Sequence, residues 1–177
     1  MINKLRYGAA GAVFAAALGM ASTAQAADNA DATATAEILS SLTLDVAAGT
    51  SLDFGQMVLP NTNGGTVTLA ADGTLDCSDP DIVCSGTTGV PTFNISAGTP
   101  GKAVTVNLPA SSSILALGAG GTPQTEIVLD SFTTSAATLN LDGSGAGSFT
   151  VGGTITLDGD ETPGVFNGTF NVSVEYS

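Results

Sequence analysis

Histidine is absent from the 177 residues, and lysine and arginine together number three against sixteen aspartates and glutamates. The first absence removes the usual general base, the Ser–His triads and most metal centres. Two of the three basic residues, Lys4 and Arg6, lie in the first six positions, and beyond them Lys102 stands alone. No arginine clamp for phosphate or carboxylate can form from that set. No glycine-rich phosphate loop carrying a lysine is present either. The formal net charge of −13 repels nucleic acid and anionic lipid head groups, which carry the same sign. It serves solubility instead. With so few ion pairs available, cohesion has to come from apolar burial and backbone hydrogen bonds. Two cysteines without histidine do not make the usual structural zinc set. Acidic groups do cluster, Asp79 with Asp81 and Asp158, Asp160 with Glu161. They sit in turn-rich stretches, where aspartate mostly supplies turn hydrogen bonds. An enzyme is therefore not expected, and neither a cofactor nor a metal is required. The second group is the better of the two for Ca²⁺, although its spacing matches no full binding loop.

What is present begins with an export pattern. Lys4 and Arg6 give a positive start, residues 8–21 run apolar without charge, and Ala24-Gln25-Ala26 is a small-x-small cleavage site. The run is too short to cross a bilayer as a helix. A cleavable signal peptide is expected over 1–26, with the mature chain starting at Ala27. Losing Lys4 and Arg6 removes two positive charges and takes the net charge from −13 to −15. In an exported chain Cys77 and Cys84, which flank a short stretch containing Pro80, are expected to form a disulfide. A loop that small is worth roughly 2–3 kcal/mol.

The mature chain shows no amphipathic helical segment of useful length. Residues 27–36, ADNADATATA, are small and polar. Ala30, Ala32, Ala34, Ala36 and Ile38 share even parity with Leu42, Leu44 and Val46, which reads as a weak strand running into a stronger one. Its small side chains bury little area. It is either a frayed terminus or an extension that pairs with an exposed sheet edge of another subunit. Further strands are expected at 52–59, 66–69, 92–95, 103–108, 114–117, 126–132 and 137–141. Asp72-Gly73 marks a hairpin turn, and 142–147 a flexible hairpin loop. Gly152-Gly153, between strands at 149–151 and 154–157, suggests a bulge or corner. Asn94, Asn167 and Asn171 each open an N-glycosylation triplet, but two of them lie inside the last strand, which argues against modification. Short strands divided by turn signals at roughly ten-residue intervals argue for an antiparallel β-sandwich of immunoglobulin-like type. A closed barrel is the alternative. No linker divides the chain, so one domain is expected over 40–177, preceded by an extension over 27–39.

The clearest alternation lies in the last stretch, 164–177, GVFNGTFNVSVEYS. Phe166, Gly168, Phe170, Val172, Val174 and Tyr176 alternate with polar residues after the Pro163-Gly164 turn, the pattern of a half-buried strand. A turn at Gly164, this alternation and the late Tyr176 together resemble the C-terminal strand of chaperone–usher pilins. The blocks ATATAEIL at 32–39, LTL at 42–44, LDFG at 52–55, GGTVTL at 64–69, FTVGGTITL at 149–157 and PGVFNGTF at 163–170 resemble the bacterial domain-of-unknown-function 4402 family. The likeness covers nearly all of the mature chain. The acidic cysteine loop at 76–84 departs from the family pattern.

The family name carries no biochemical activity. The resemblance implies an exported, pilin-like β-sandwich of Gram-negative bacteria, similar to subunits of archaic chaperone–usher and spore-coat-type pili. On that reading the sandwich lacks one strand. Gly164, Phe166, Gly168, Phe170, Val172, Val174 and Tyr176 border the open groove, where a chaperone and then a neighbouring subunit bind. Ala32, Ala34, Ala36 and Ile38 form the donor strand that fills a neighbour's groove, head to tail. The implied partners are further pilus subunits, a periplasmic chaperone and an outer-membrane usher. The implied location is the periplasm in transit, then the cell surface. The alternative is a self-contained surface or coat protein, adhesin-like and not polymerising, whose N-terminal stretch is the first strand of its own sheet.

Overall fold

The computed structural model describes residues 30–117 and 123–177. The signal peptide expected over 1–26 lies outside them. The chain divides into residues 1–36 and Glu37–Ser177. In the first unit, residues 30–36 are exposed and without secondary structure. The second unit is all β, with thirteen strands and no helix among the described residues.

Every strand pair among the described residues is antiparallel. The larger sheet runs β1 (Thr43–Val46), β6 (Thr92–Ser96), β11 (Gly147–Leu157), β9 (Pro123–Thr134), β8 (Ser111–Leu117) and β12 (Phe166–Gly168). The long β11 also pairs with β3 (Gly65–Leu69), which pairs with β4 (Leu75–Asp76). A second sheet is ordered β10 (Thr138–Asn140), β7 (Ala103–Asn107) and β13 (Ser173–Tyr176). A ribbon of β2 (Gln56–Val58) and β5 (Val83–Ser85) completes the set.

Period-two sequences put one face of each strand inside. Phe93 and Ile95 of β6 are buried while Asn94 between them is exposed, and Val104 and Val106 are likewise the buried residues of β7. Two packed clusters result. In one, Val104 and Val106 pack against Phe93, Ile95, Phe149 and Val151, so the β7 sheet lies face to face on β6 and β11. Phe93 and Phe149 are directly opposite across the ladder, their rings stacked at 5.3 Å. In the other, Val67, Leu69, Ile127, Leu129, Ile155 and Leu157 are covered by Phe54 and Ile82 from the ribbon side. Burying one such side chain stabilises by roughly 1.5–3 kcal/mol. The fold is thus the antiparallel sandwich that the strand spacing predicts. The larger sheet is an open path with β1 and β12 at its ends and does not close into a barrel.

Several local expectations are corrected. The weak strand through 30–42 is not formed, and pairing starts only at Thr43; residues that small bury too little to hold a ladder position. The cysteine loop contains a strand, β5, because Val83 and Cys84 pair back onto β2. The loop at 142–147 is not a hairpin, since β10 lies in the second sheet and β11 in the larger one. It is also well tied, with the Asp142 carboxylate accepting from the Ser144 N–H, the Ser144 hydroxyl and the Ala146 N–H. The irregularity expected at Gly152-Gly153 exists, but the extra residue is on the facing strand. Gly152 pairs with Thr133 and Thr154 with Asp130. Ser131, at φ 47°, absorbs the odd residue. As a result Ile127 and Leu129 point inward at odd numbers, and Phe132 faces the core at an even one.

Candidate functional site: an apolar groove beside the last strand

The final stretch is two short strands and not one. Phe166 to Gly168 pair with Ala116 to Ile114 of β8, whereas Ser173 to Tyr176 pair with Asn107 to Val104 of β7. The chain changes sheets between them, yet its alternation survives. Phe166, Phe170, Val174 and Tyr176 are half-buried and Val172 is buried, while the odd-numbered residues 165–175 are exposed. Gly168 sits so close to the Ser113 carbonyl and the Ile114 side chain that a Cβ there would collide with both. Only glycine lets β12 lie this near β8. Among the described residues both β12 and β13 end their sheets, so each leaves an outer row of backbone groups that no described strand pairs.

Next to this edge lies a groove of about 1090 Å³ between residues 50–59 and 161–170. Its floor is the inner face of β8, β9 and β11: Ile114, Ile127, Leu129, Ile155 and Leu157. One wall carries Leu52, Met57 and Leu59, and the other Phe166 and Phe170; all five are only half-buried. Val165 on the rim is 77% exposed. The charged residues of the lining are Asp53 and Glu161, both acidic. Each carboxylate already accepts backbone N–H bonds, Asp53 from Gly55 and Glu161 from Asp158 and Gly159. An apolar trough between backbone rims suits an extended peptide better than a small polar substrate.

The wall that carries Met57 is braced by a disulfide. Met57 is opposite Cys84 in the ribbon, and Cys84 is bonded to Cys77. Cys77 directly follows β4 of the larger sheet, so the disulfide ties the ribbon to that sheet. Asp81 inside the loop accepts from the side-chain amides of Asn61 at 2.7 Å and Asn63 at 3.4 Å, which fixes the turn after the wall.

Of the residues read from sequence as bordering the groove, Gly164, Phe166, Gly168 and Phe170 do so. Val172, Val174 and Tyr176 do not line it. After the change of sheet they pack on the β7 side of the core. Ala32, Ala34, Ala36 and Ile38 are exposed, Ile38 by 96%. The floor residues escape sequence reading because alternation shows that a residue is buried, not that a groove opens above it. The LDFG block does mark one wall through Leu52 and Phe54. For the acidic turn at 158–161, the Glu161 carboxylate caps the turn itself. Among the described residues no three His, Cys, Asp or Glu side chains converge on a metal-sized site. No described helix is long and apolar enough to cross a membrane.

No curated protein and no solved structure matches the chain. The model of one family, described as a domain of unknown function (DUF4402), matches residues 44–176, from the second residue of β1 to the end of β13. The match spans both walls and the floor of the groove, and the chain belongs to the DUF4402 family.

Proposed function

We propose that this protein is an exported structural subunit that polymerises head to tail into a surface filament, each groove being filled by the N-terminal segment of the next copy. The observation that carries the reading is the groove. It has an apolar floor and half-buried walls, and the unpaired edge of β12 runs alongside it. An added strand would gain main-chain hydrogen bonds from that edge and would bury the half-exposed walls, Leu52, Met57, Leu59, Phe166 and Phe170. The segment 28–39 supplies a strand of suitable length, with Ala32, Ala34, Ala36 and Ile38 on one side. The contact joins two different surfaces, so it propagates as a fibre. No catalysis is part of this role. An open apolar edge aggregates if left bare, so the reading includes a periplasmic chaperone that caps it and an outer-membrane usher that exchanges the cap for a subunit.

One observation favours the alternative of a self-contained, non-polymerising surface protein. Ile127, Leu129, Ile155 and Leu157 are already nearly fully buried within one chain, so the core does not depend on a donor. A comparison of the mature protein with a version lacking residues 27–38, by size exclusion and negative-stain microscopy, separates the two. Filaments from the longer form and monomers from the shorter are expected. Equally stable monomers from both would overturn the filament reading in favour of the alternative.

A further inference from the structure

The root of the N-terminal segment is fastened to the sandwich by side chains. The Ser40 N–H donates to the Thr99 hydroxyl oxygen, and the Ser40 carbonyl accepts the Tyr176 hydroxyl, both at 2.8 Å. The Tyr176 oxygen in turn accepts the Thr99 N–H at 2.8 Å. Three bonds therefore close a ring through Ser40, Thr99 and Tyr176. Three residues earlier, Glu37 pairs with Lys102 at 2.6 Å. Leu42 just beyond packs on the Phe93–Phe149 part of the core.

None of Glu37, Ser40, Thr99, Lys102 and Tyr176 lines the groove. Two separate chain paths lead from this tie to the groove: Ser40 to Val46 and Tyr176 to Phe170, each six residues long. Ser40 on Thr99 continues the β1–β6 register, so the first path is extended and, at about 3.3 Å per residue, covers roughly 20 Å. The twelve residues 28–39 reach at most about 40 Å when fully extended. If the segment turned back along its own body, half of that reach would go to regaining the groove, and the reversal would consume more. Too little would remain to run beside residues 163–170. The groove of a second copy imposes no such loss.

We infer that Thr99, Tyr176 and the Lys102–Glu37 pair form a latch that directs the N-terminal segment to a second copy and away from its own groove. This rests on the filament reading above. The latch sets the choice by length: it fixes the point from which the segment starts, and the segment is too short to fold back from there. Tyr176 thus acts at the donor end of the chain and not in the acceptor groove.

The test places Ala34→Cys and Asn167→Cys in the mature chain, one on the segment and one on the groove lining. The pair is studied with the native latch and with Thr99→Ala/Tyr176→Phe, by oxidation and non-reducing electrophoresis. With the latch intact, cross-links between copies are expected to dominate. Without it, the ratio of within-chain to between-copy product should rise roughly tenfold, the order that two weak hydrogen bonds supply. The same ratio in both backgrounds would overturn the latch and leave the filament reading standing. No cross-link in either background would overturn both. A second variant avoids any damage to folding: about eight Gly/Ser residues inserted between Leu39 and Ser40, long enough to span the deficit. The within-chain product should rise there too, and an unchanged ratio would refute the length argument and the latch with it.

Discussion

The ring of Phe170 lies 4.9 Å from that of Phe132, a contact that depends on a single extra residue in β9. Ser131 shifts the alternation, so that Phe132 turns inward to meet the final segment. Phe170 also reaches Phe93, at 6.3 Å, and so touches both clusters of the core while lining the groove. Phe170→Ala is expected to cost about 2–3 kcal/mol, less than for a fully enclosed ring because Phe170 is only half-buried. Urea unfolding measures it, and an unchanged midpoint would mean that the two clusters do not depend on this ring.

The disulfide closes a short loop, with a sequence separation of 7. Replacing both cysteines by serine should lower stability by about 2–3 kcal/mol. The loss should be local at first. Amide exchange in β2 and β5 is expected to accelerate before that in β11, because the ribbon loses its covalent tie to the larger sheet. Uniform acceleration across all strands would contradict a brace on the groove wall.

Two exposed turns give acid sensitivity with a defined sign. The Asp72 carboxyl is held below its ordinary value of 3.8 mainly by the Thr74 N–H, and that of Asp142 mainly by the Ser144 hydroxyl, then the Ala146 N–H. A carboxylate whose pKa is lower when folded stabilises above the unfolded value and loses that contribution as pH falls through the folded one. The stability gap between wild type and Asp72→Ala/Asp142→Ala should therefore be full near neutrality and shrink as pH drops below 3.8. Relief of charge repulsion acts on both proteins, so the comparison removes it. A gap independent of pH would reject the turn hydrogen bonds as its source.

Charge should also govern assembly. The chain carries a formal −13, and Asp53 and Glu161 stand at the groove proposed to take a segment bearing Asp28, Asp31 and Glu37. Exposed charges are screened over about 10 Å at ~0.1 M salt. Association of the mature chain, followed by light scattering, is expected to speed up as sodium chloride is raised. A rate that falls with salt would mean that attraction, not repulsion, controls the encounter.

Alternation makes the strands legible wherever one face is buried and the other wet, as in β6 with Phe93 and Ile95 or β7 with Val104 and Val106. The β3–β4 turn is equally plain from its Asp72-Gly73 signal, and Gly73 adopts the left-handed φ of 86° that the turn requires. The bulge is half legible. The odd spacing of Ile127, Leu129 and Phe132 carries it, but the two glycines at 152–153 point to β11 when the extra residue is in β9. The split of the last strand leaves no such trace, because Phe166 to Tyr176 keep one parity throughout and a change of sheet does not alter it.

By itself, the sequence determined the all-β class, the antiparallel sandwich, the cysteine pairing and the half-buried face of the final stretch. Each follows from local periodicity, turn chemistry or the spacing of two residues, and these act over a few positions of the chain. Only the tertiary structure decided where the groove opens, that Phe170 borders it while Tyr176 does not, and that Tyr176 instead holds Ser40, 136 residues away. Those relationships depend on which strands become neighbours. Strand pairing is fixed by the summed burial of many side chains from distant segments, a quantity that no short stretch of sequence contains.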